Sequence, residues 1–214
     1  MKEIKNIKTV LVLAPHTDDG EFGCGGTLSK LIEEGVRVIY VAFSAAEQSV
    51  LPHLPKDILK TEIKAAVEKL GIKKDDLIIL NFEVRQFPKL RQEILEKMVE
   101  LEKKYDPDIV FLPSENDTHQ DHNTVANEGF RAFKRHTMLA YEMPWNNLDF
   151  KTTCFFEISK SNLEKKIDAM ACYKSQEHRP YANEDFVRSL ATVRGVQIGK
   201  QYAETFEVVR WVIK

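Results

Sequence analysis

The 214-residue sequence has little of what marks several large classes of protein. Its three cysteines are odd in number and widely spaced, which argues against a disulfide framework and favours a cytoplasmic protein with reduced thiols. Lys and Arg number 31 against 33 Asp and Glu, so the net charge of −2 does not favour nucleic acid as a partner. No apolar run approaches the roughly 20 residues of a membrane span, and the run near the N-terminus is too short for a signal-peptide core.

The chain does contain an alternation of strand and helix patterns. Mainly apolar runs, typical of strands buried on both faces of a parallel sheet, occupy residues 9–14, 36–43, 77–80 and 109–112. Apolar residues recur at helical intervals over residues 27–32, 58–70 and 89–104. Because parallel strands need crossover connections, this alternation predicts an α/β fold with a mostly parallel sheet and helices on both faces. Without any linker, residues 1–214 are predicted to form a single domain.

Turn and capping residues place some of the element ends. Glycines at 20, 23, 25 and 26 predict a turn between the first strand and a helix that starts near Thr27. Ser161 and Glu164 have the spacing of a capping box, and Asn183 is a candidate cap for a helix that runs to Gly195.

Two short clusters of His and Asp follow two of the predicted strands. After residues 9–14 and 109–112, respectively, come His16, Asp18 and Asp19, and then His119, Asp121 and His122. Three of the six histidines therefore lie in two windows at strand ends. Since ligands bind outside the carboxyl ends of strands in doubly wound sheets, we expect the two windows to face each other.

Imidazole and carboxylate in one cleft predict a metal-dependent hydrolase. They are the usual nitrogen and oxygen ligands of catalytic zinc, which keeps an open position for a water that ionises near neutral pH. The same ligands also accept iron, manganese, cobalt or nickel. Each cluster alone is equally typical of a turn or a helix cap; the two together favour the metal site.

The residues around these clusters resemble the signatures of the PIG-L/LmbE-like zinc-dependent N-deacetylases. Residues 14–28, Ala-Pro-His-Thr-Asp-Asp-Gly-Glu-Phe-Gly-Cys-Gly-Gly-Thr-Leu, resemble the first signature, and residues 119–122 match the second, His-x-Asp-His. Residues 173–176 and 202–207 look like two further family stretches, so the resemblance covers nearly the whole chain. Thr17 departs from the proline that is frequent at its position.

The resemblance implies a Rossmann-like hydrolase that removes an N-acyl group, usually N-acetyl from a glucosamine unit, by a metal-activated water. The zinc ligands that it implies are His16, Asp19 and His122. It makes Asp18 the general base, His119 the electrophilic or acid group beside the substrate carbonyl, and Asp121 the carboxylate that fixes a histidine tautomer. It also favours a small N-acylated amino sugar as the partner molecule and a homo-oligomer as the assembly.

Three further residues are candidates for substrate binding. Glu47 and Arg85 each follow a predicted strand, where they can bind a sugar hydroxyl or an anionic group, and Glu142 precedes Trp145, an aromatic suited to a sugar ring. A solvated loop acid and a surface ion pair are the alternatives for the first two. In many relatives a glycine precedes the residue at the position of Glu47, whereas this chain has Ala46.

Three other functions remain open at this stage. An amidase acting on a larger conjugate would use the same chemistry. A nucleotide or S-adenosylmethionine binder would use residues 19–26 as a glycine-rich loop, but Pro15 and His16 occupy the place of its first glycine, and no acid ends the second strand. A metal protein that only binds its ligand is disfavoured, because Asp18, the base that the resemblance implies, is present.

Overall fold

The computed structural model describes residues 7–213. The first six residues lie outside this range. They belong to the N-terminal stretch that was compared with a signal peptide above. The seven strands are β1 Thr9–Ala14, β2 Arg37–Ala42, β3 Leu77–Ile79, β4 Ile109–Pro113, β5 Thr137–Tyr141, β6 Cys154–Glu157 and β7 Ala203–Arg210. The six α-helices are α1 Asp19–Glu33, α2 Ile58–Leu70, α3 Arg91–Tyr105, α4 Gln120–Ala132, α5 Lys160–Met170 and α6 Glu184–Gln197. Within the described range, no helix is both long enough and apolar enough to cross a membrane.

The strands form one mixed sheet in the order β3-β2-β1-β4-β5-β7-β6. The first five run parallel, and β7 pairs antiparallel with both β5 and β6. At the centre, Val12 of β1 lies between Tyr40 of β2 and Phe111 of β4. The chain turns away in opposite directions from β1 and β4, so the gap between their carboxyl ends is the switch point at which such sheets bind ligands.

The sheet separates two hydrophobic cores, because successive residues of each buried strand point to opposite faces. Val10 and Val12 pack into the core on one face, which also receives residues of α1, α2 and α5, while Leu11 and Leu13 pack into the other, with residues of α3 and α4. These residues are fully buried. The prediction of a mostly parallel sheet with helices on both faces is thus confirmed.

Helix α1 differs most from the prediction. It begins at Asp19, eight residues earlier than the glycine pattern indicates, and is kinked at Cys24, whose φ of −148° is not helical. A Cβ atom at Gly20 would lie 2.4 Å from the Tyr40 ring, and one at Gly23 would lie 2.4 Å from the Tyr141 ring. The glycines therefore allow a helix to approach the sheet closely, rather than forming a loop around a cofactor.

The remaining elements mostly follow the prediction. Helix α2 ends at Gly71, whose φ of 90° is left-handed, and Asn183 caps α6 by accepting a hydrogen bond from the Phe186 N–H. The capping box of α5 is formed by Ser159 and Asn162, two residues before the predicted pair. Strands β5, β6 and β7 were not predicted, although β5, Thr-Met-Leu-Ala-Tyr, contains an apolar run that is buried throughout.

Candidate metal centre

Two loops at the switch point carry the predicted site. The first leaves β1 at Ala14 and enters α1 at Asp19, and the second leaves β4 at Pro113 and enters α4 at Gln120. Because β1 and β4 are paired and parallel, their loops emerge side by side at the same edge of the sheet. The structure therefore brings together the two His/Asp clusters, which lie about a hundred residues apart in the sequence.

Three donor atoms converge between these loops. His16 Nδ1, Asp19 Oδ2 and His122 Nε2 form a triangle whose three sides each measure 3.3 Å. A tetrahedral zinc ion with bonds of about 2.0–2.1 Å holds its ligand atoms roughly 3.3–3.4 Å apart. The triangle thus has the composition and the spacing of a three-ligand metal set, and these residues fit a divalent transition metal.

A carboxylate holds the other ring nitrogen of each histidine. His16 Nε2 lies 3.1 Å from Asp121 Oδ2, and His122 Nδ1 lies 2.8 Å from Asp117 Oδ2. Both carboxylates are buried and fix the ring orientations, as carboxylates behind metal-binding histidines do. Asp121 therefore has the position that the resemblance implies. Asp117 is absent from the sequence prediction, and its only signal there was an acid in the same strand-end loop.

A second group of possible ligands overlaps the first. His16, His119 and Asp121 also place donor atoms within 4.8 Å of one another. However, Asp121 already accepts hydrogen bonds from the backbone N–H groups of Arg85 and Phe87, and His119 Nδ1 accepts one from the Asp121 N–H. The triangle of His16, Asp19 and His122 is the better set, because its three donor atoms lie 3.3 Å from one another.

The buried carboxylates make this region favourable for positive charge. Burial opposes protonation of His122, but the charge of Asp19 and hydrogen bonds to Asp117 and Asp19 raise its pKa to about 10. Burial likewise opposes ionisation of Asp19, yet the neighbouring His122 and His16 hold its pKa well below the usual range. The region stabilises a cation between these groups, whether it is a proton or a metal ion.

Asp18 and His119 lie beside the triangle with shifted pKa values. Burial and the adjacent charge of Asp19 raise the pKa of Asp18 to about 6. Burial and the neighbouring His16 and His122 lower the pKa of His119 to about 4, so its imidazole is neutral. Since His119 Nδ1 accepts the Asp121 N–H at 3.1 Å, the ring hydrogen resides on Nε2. The cleft therefore contains a carboxylate and a neutral N–H donor near the donor triangle.

A buried network of hydrogen bonds holds the first loop in position. The hydroxyls of Tyr40 and Tyr173 donate to the Thr17 carbonyl at 3.0 and 2.7 Å, and both also contact the Glu21 carboxyl. Burial raises the pKa of Glu21 to about 8. This network fixes the backbone on both sides of Asp19.

A buried ion pair bridges the kink in α1. Lys166 Nζ lies 2.6 Å from Glu204 Oε1 and donates to the Phe22 carbonyl, while Glu204 accepts the N–H groups of Gly26 and Thr27. The lysine thus satisfies the end of the first helical segment, and the glutamate caps the start of the second. The pair holds the segment that carries Asp19 against the sheet.

The triangle opens into a cleft of about 490 Å³. Its lining includes Asp18, His119 and Arg85 together with Trp145, Tyr181 and Arg179. Trp145 and Tyr181 are stacked, with ring centroids 3.9 Å apart and an interplanar angle of 2°. Of the three predicted substrate-binding residues, the structure brings Arg85 alone into this lining.

Glu47 and Glu142 are engaged elsewhere. Glu47 is paired with Lys60 at 2.6 Å and is absent from the cleft lining, whereas Ala46 before it, with φ of 48°, lines the cleft. Glu142 is buried against the Arg194 guanidinium in a separate, smaller cavity. Glu47 follows a strand, as predicted, and Glu142 follows β5, but the cationic partner that draws each side chain away cannot be inferred from strand order.

Comparisons with known proteins find relatives of this chain. Residues 11–133 match the PIG-L family, described as GlcNAc-PI de-N-acetylase. Diacetylchitobiose deacetylase of Thermococcus kodakarensis is 28% identical in an alignment 228 positions long, which covers 95% of this chain and 84% of that protein. A probable N-acetyl-alpha-D-glucosaminyl L-malate deacetylase 2 of Bacillus cereus is 32% identical over 142 residues, 59% of this chain and 61% of that protein. The structure of N,N'-diacetylchitobiose deacetylase from Pyrococcus horikoshii aligns with a TM-score of 0.81 and 25% identity, over 96% of this chain and 85% of its own.

Proposed function

The chain belongs to the PIG-L family of de-N-acetylases, and we propose that it is a zinc-dependent hydrolase that removes an N-acetyl group from a GlcNAc-type amino sugar. The observation that carries this proposal is the donor triangle of His16, Asp19 and His122, with sides of 3.3 Å. Two relatives are named for deacetylation of diacetylchitobiose and of a glucosaminyl malate, which supports an N-acetylated amino sugar as substrate.

Zinc is proposed as the metal because two imidazoles and one carboxylate form a ligand set that it prefers. When bound, the metal supplies Lewis acidity that polarises the amide carbonyl and acidifies a water. Asp121 and Asp117 keep the two imidazoles oriented by holding their remaining nitrogens at 3.1 and 2.8 Å.

The residues beside the triangle have separate proposed roles in proton transfer. Asp18 lines the cleft, and its carboxylate takes the proton from the attacking water. His119 Nε2 carries the ring hydrogen and donates it toward the carbonyl oxygen or the leaving nitrogen. The stacked pair of Trp145 and Tyr181 offers an aromatic wall suited to one face of a sugar ring.

Further proposals concern the chain as a whole. Residues 1–214 form one catalytic domain, and the chain functions in a reducing, cytoplasmic compartment, since Cys24, Cys154 and Cys172 are unpaired in the described structure. A homo-oligomer is proposed on the family resemblance. Of the three substrate-binding candidates, only Arg85 is retained for the cleft.

Elemental analysis of the purified protein, combined with acetate release from a panel of N-acetylglucosamine derivatives, tests the function. We expect about one metal per chain, acetate release that a chelator abolishes, and recovery when zinc is restored. Metal without acetate release from any sugar would replace the substrate by a larger amide. Failure to bind metal after loading at neutral pH would overturn the proposal.

A further inference from the structure

Asp18 differs from the other carboxylates of the metal site in how it is held. The side chains of Asp19, Asp117 and Asp121 each accept a backbone N–H at 2.6–2.8 Å. Within the described chain, the half-buried carboxylate of Asp18 accepts no hydrogen bond from another residue. Arg179 acts on it through its charge, which fixes no direction. The position of the proposed base therefore depends on its backbone.

The backbone around Asp18 is fixed on both sides. The Thr17 carbonyl, which belongs to the peptide group that precedes Asp18, accepts the hydroxyl of Tyr40 at 3.0 Å and that of Tyr173 at 2.7 Å. The Asp18 carbonyl accepts the Phe22 N–H at 3.1 Å at the start of α1. Because both planar peptide groups that adjoin Asp18 are held, the direction of its Cα–Cβ bond is fixed.

The two tyrosine hydroxyls come from distant parts of the chain and are themselves held. Tyr40 lies in β2, and its oxygen accepts the Gly20 N–H at 2.9 Å. Tyr173 follows α5, and the Glu21 carboxyl contacts both hydroxyls. Both tyrosines are buried, so a hydroxyl that is removed leaves the Thr17 carbonyl with one donor fewer and no direct access to bulk water.

Residues 173–176 hold Tyr173 against the first loop. The Ser175 N–H and hydroxyl donate to the Glu62 carboxylate of α2 at 2.9 and 2.6 Å, and both residues are buried. This stretch resembles a family signature in the sequence, yet it has no part in the chemistry proposed above. Its contacts connect α2 with the Thr17 carbonyl, next to the proposed base.

We infer that Tyr40 and Tyr173 are positioning residues for Asp18. Their hydroxyls hold the peptide group between Thr17 and Asp18, and through it they keep the Asp18 carboxylate beside the donor triangle. Since that carboxylate makes no hydrogen bond to another residue, it is available to accept the proton of a water. A misplacement of about 1 Å can cost about a hundredfold in rate, so such remote contacts affect turnover. The inference rests on the proposed function, in which Asp18 is the base.

Steady-state kinetics of the zinc-loaded Tyr173→Phe protein test the inference, with the N-acetylglucosamine derivative that releases acetate fastest. Phenylalanine keeps the packing of the ring and removes the hydroxyl. We expect kcat to fall about tenfold with KM and metal content unchanged, because neither the substrate nor the triangle loses a contact. Tyr40→Phe should lower kcat at least as much, since it also leaves the Gly20 N–H without its acceptor. Wild-type kcat in both variants would overturn the inference.

Tyr141→Phe is the matched control. The Tyr141 hydroxyl is also buried and donates at 3.0 Å to a carbonyl of β1, that of Leu13, which is not adjacent to Asp18. This variant should lose a similar amount of stability in a denaturant titration and keep wild-type kcat. A fall in kcat as large as that in Tyr173→Phe would contradict a specific role of Tyr173.

A double-variant cycle assigns the effect to Asp18. In the Asp18→Asn protein, the addition of Tyr173→Phe should lower kcat no further, because the base that Tyr173 positions is absent. A second fall of the same size would overturn the inference and leave the proposed function intact. Wild-type kcat in Asp18→Asn alone would instead overturn the proposed base, so the two failures are distinguishable.

Hydrogen exchange of the full-length protein gives a readout that does not depend on turnover. In Tyr173→Phe, the backbone amides of residues 15–22 should exchange faster than in the wild type and in Tyr141→Phe, because the Thr17 carbonyl has lost a donor and the loop opens more often. Mass spectrometry of the peptides that cover this segment measures the difference. Equal exchange in the three proteins would contradict the inference even if no substrate released acetate.

Discussion

Two buried clusters of charged side chains contact helix α1, and they differ in how their charges are balanced. In the ion pair of Lys166 and Glu204, each charged group meets a protein partner at 2.6–3.1 Å, including the backbone groups around the helix kink. In the donor triangle, three potential ligand atoms face one another at 3.3 Å, and the outer nitrogens are already occupied. The first cluster is complete without a ligand, whereas the second is completed by a cation.

This difference distinguishes charged groups that are buried to stabilise the fold from charged groups that are buried to bind a ligand. A buried ion pair with its remaining hydrogen bonds satisfied maintains a fold and mainly determines stability. A set of converging donors binds a ligand, and its removal affects metal content and turnover. The following changes test that separation, in order of decreasing expected effect.

Removal of a triangle residue should have the largest effect. In Asp19→Ala and His122→Ala, we expect loss of the bound metal and a fall in acetate release of roughly a thousandfold or more, about 4 kcal/mol of barrier. Elemental analysis and initial rates measure both effects. His53→Ala, which changes an exposed histidine, is the matched control and should retain both. Stoichiometric metal in His122→Ala would exclude it as a ligand.

Asp18→Asn should separate metal binding from turnover. The amide keeps the shape of the side chain but takes up no proton, so metal content should stay unchanged while kcat falls roughly a hundred- to a thousandfold. Elemental analysis and steady-state kinetics on the same preparation give both quantities. Wild-type kcat in this variant would eliminate Asp18 as the base.

Lys166→Met should affect stability most strongly. Loss of the ammonium leaves Glu204 without its cation, and we expect the free energy of unfolding to fall by about 3 kcal/mol. Lys165→Met is the adjacent control: its exposed pair with Glu33 should contribute no more than about 0.5 kcal/mol. Denaturant titrations measure both values. Similar losses in the two variants would show that burial of the Lys166 pair has no special importance.

Replacing the outer carboxylates should weaken metal binding without abolishing it. In Asp117→Asn and Asp121→Asn, the metal Kd should increase by about 10- to 100-fold, because a neutral amide replaces the charged carboxylate that orients each imidazole. Competition with a chelator measures the change, and Asp149→Asn, at an exposed acid, is the control. An unchanged Kd in Asp117→Asn would assign that residue a role in folding alone.

The substitution Ala46→Gly should produce the smallest effect, and Ala46 belongs to neither of the two clusters. Ala46 has φ of 48°, where glycine is unstrained, and we expect a stabilisation of about 0.5–1 kcal/mol after the greater entropy of unfolded glycine is included. Ala45→Gly, at the neighbouring buried alanine, should destabilise instead. A denaturant midpoint that moves the same way in both variants would contradict the assignment of strain to Ala46.

Much of the fold could be predicted because its signals are local. The apolar runs of β1, β2 and β4 and the helical periodicity of α2 and α3 are properties of consecutive residues. The start of helix α1 was predicted wrongly, because its glycines are needed for packing against residues that are distant in the sequence. Gly20 and Gly23 are required because the rings of Tyr40 in β2 and Tyr141 in β5 pack against them.

Part of the site could also be predicted from the sequence. Topology brings the loops after β1 and β4 together, so the two His/Asp windows indicated a shared cleft. Asp117 was missed because a single acid in a loop has no pattern, and its role depends on the orientation of His122. Glu47 was placed in the cleft because the ion pair that draws it away depends on Lys60, a partner on another element.

The origin of the triangle in two loops has a consequence for the order of folding. His16 and His122 are 106 positions apart, and they meet only when β1 and β4 pair at the centre of the sheet. A metal ion therefore has no complete set of ligands in the early, locally folded chain, and it cannot act as the nucleus of folding. Metal uptake during refolding would instead report the moment at which the central strands join.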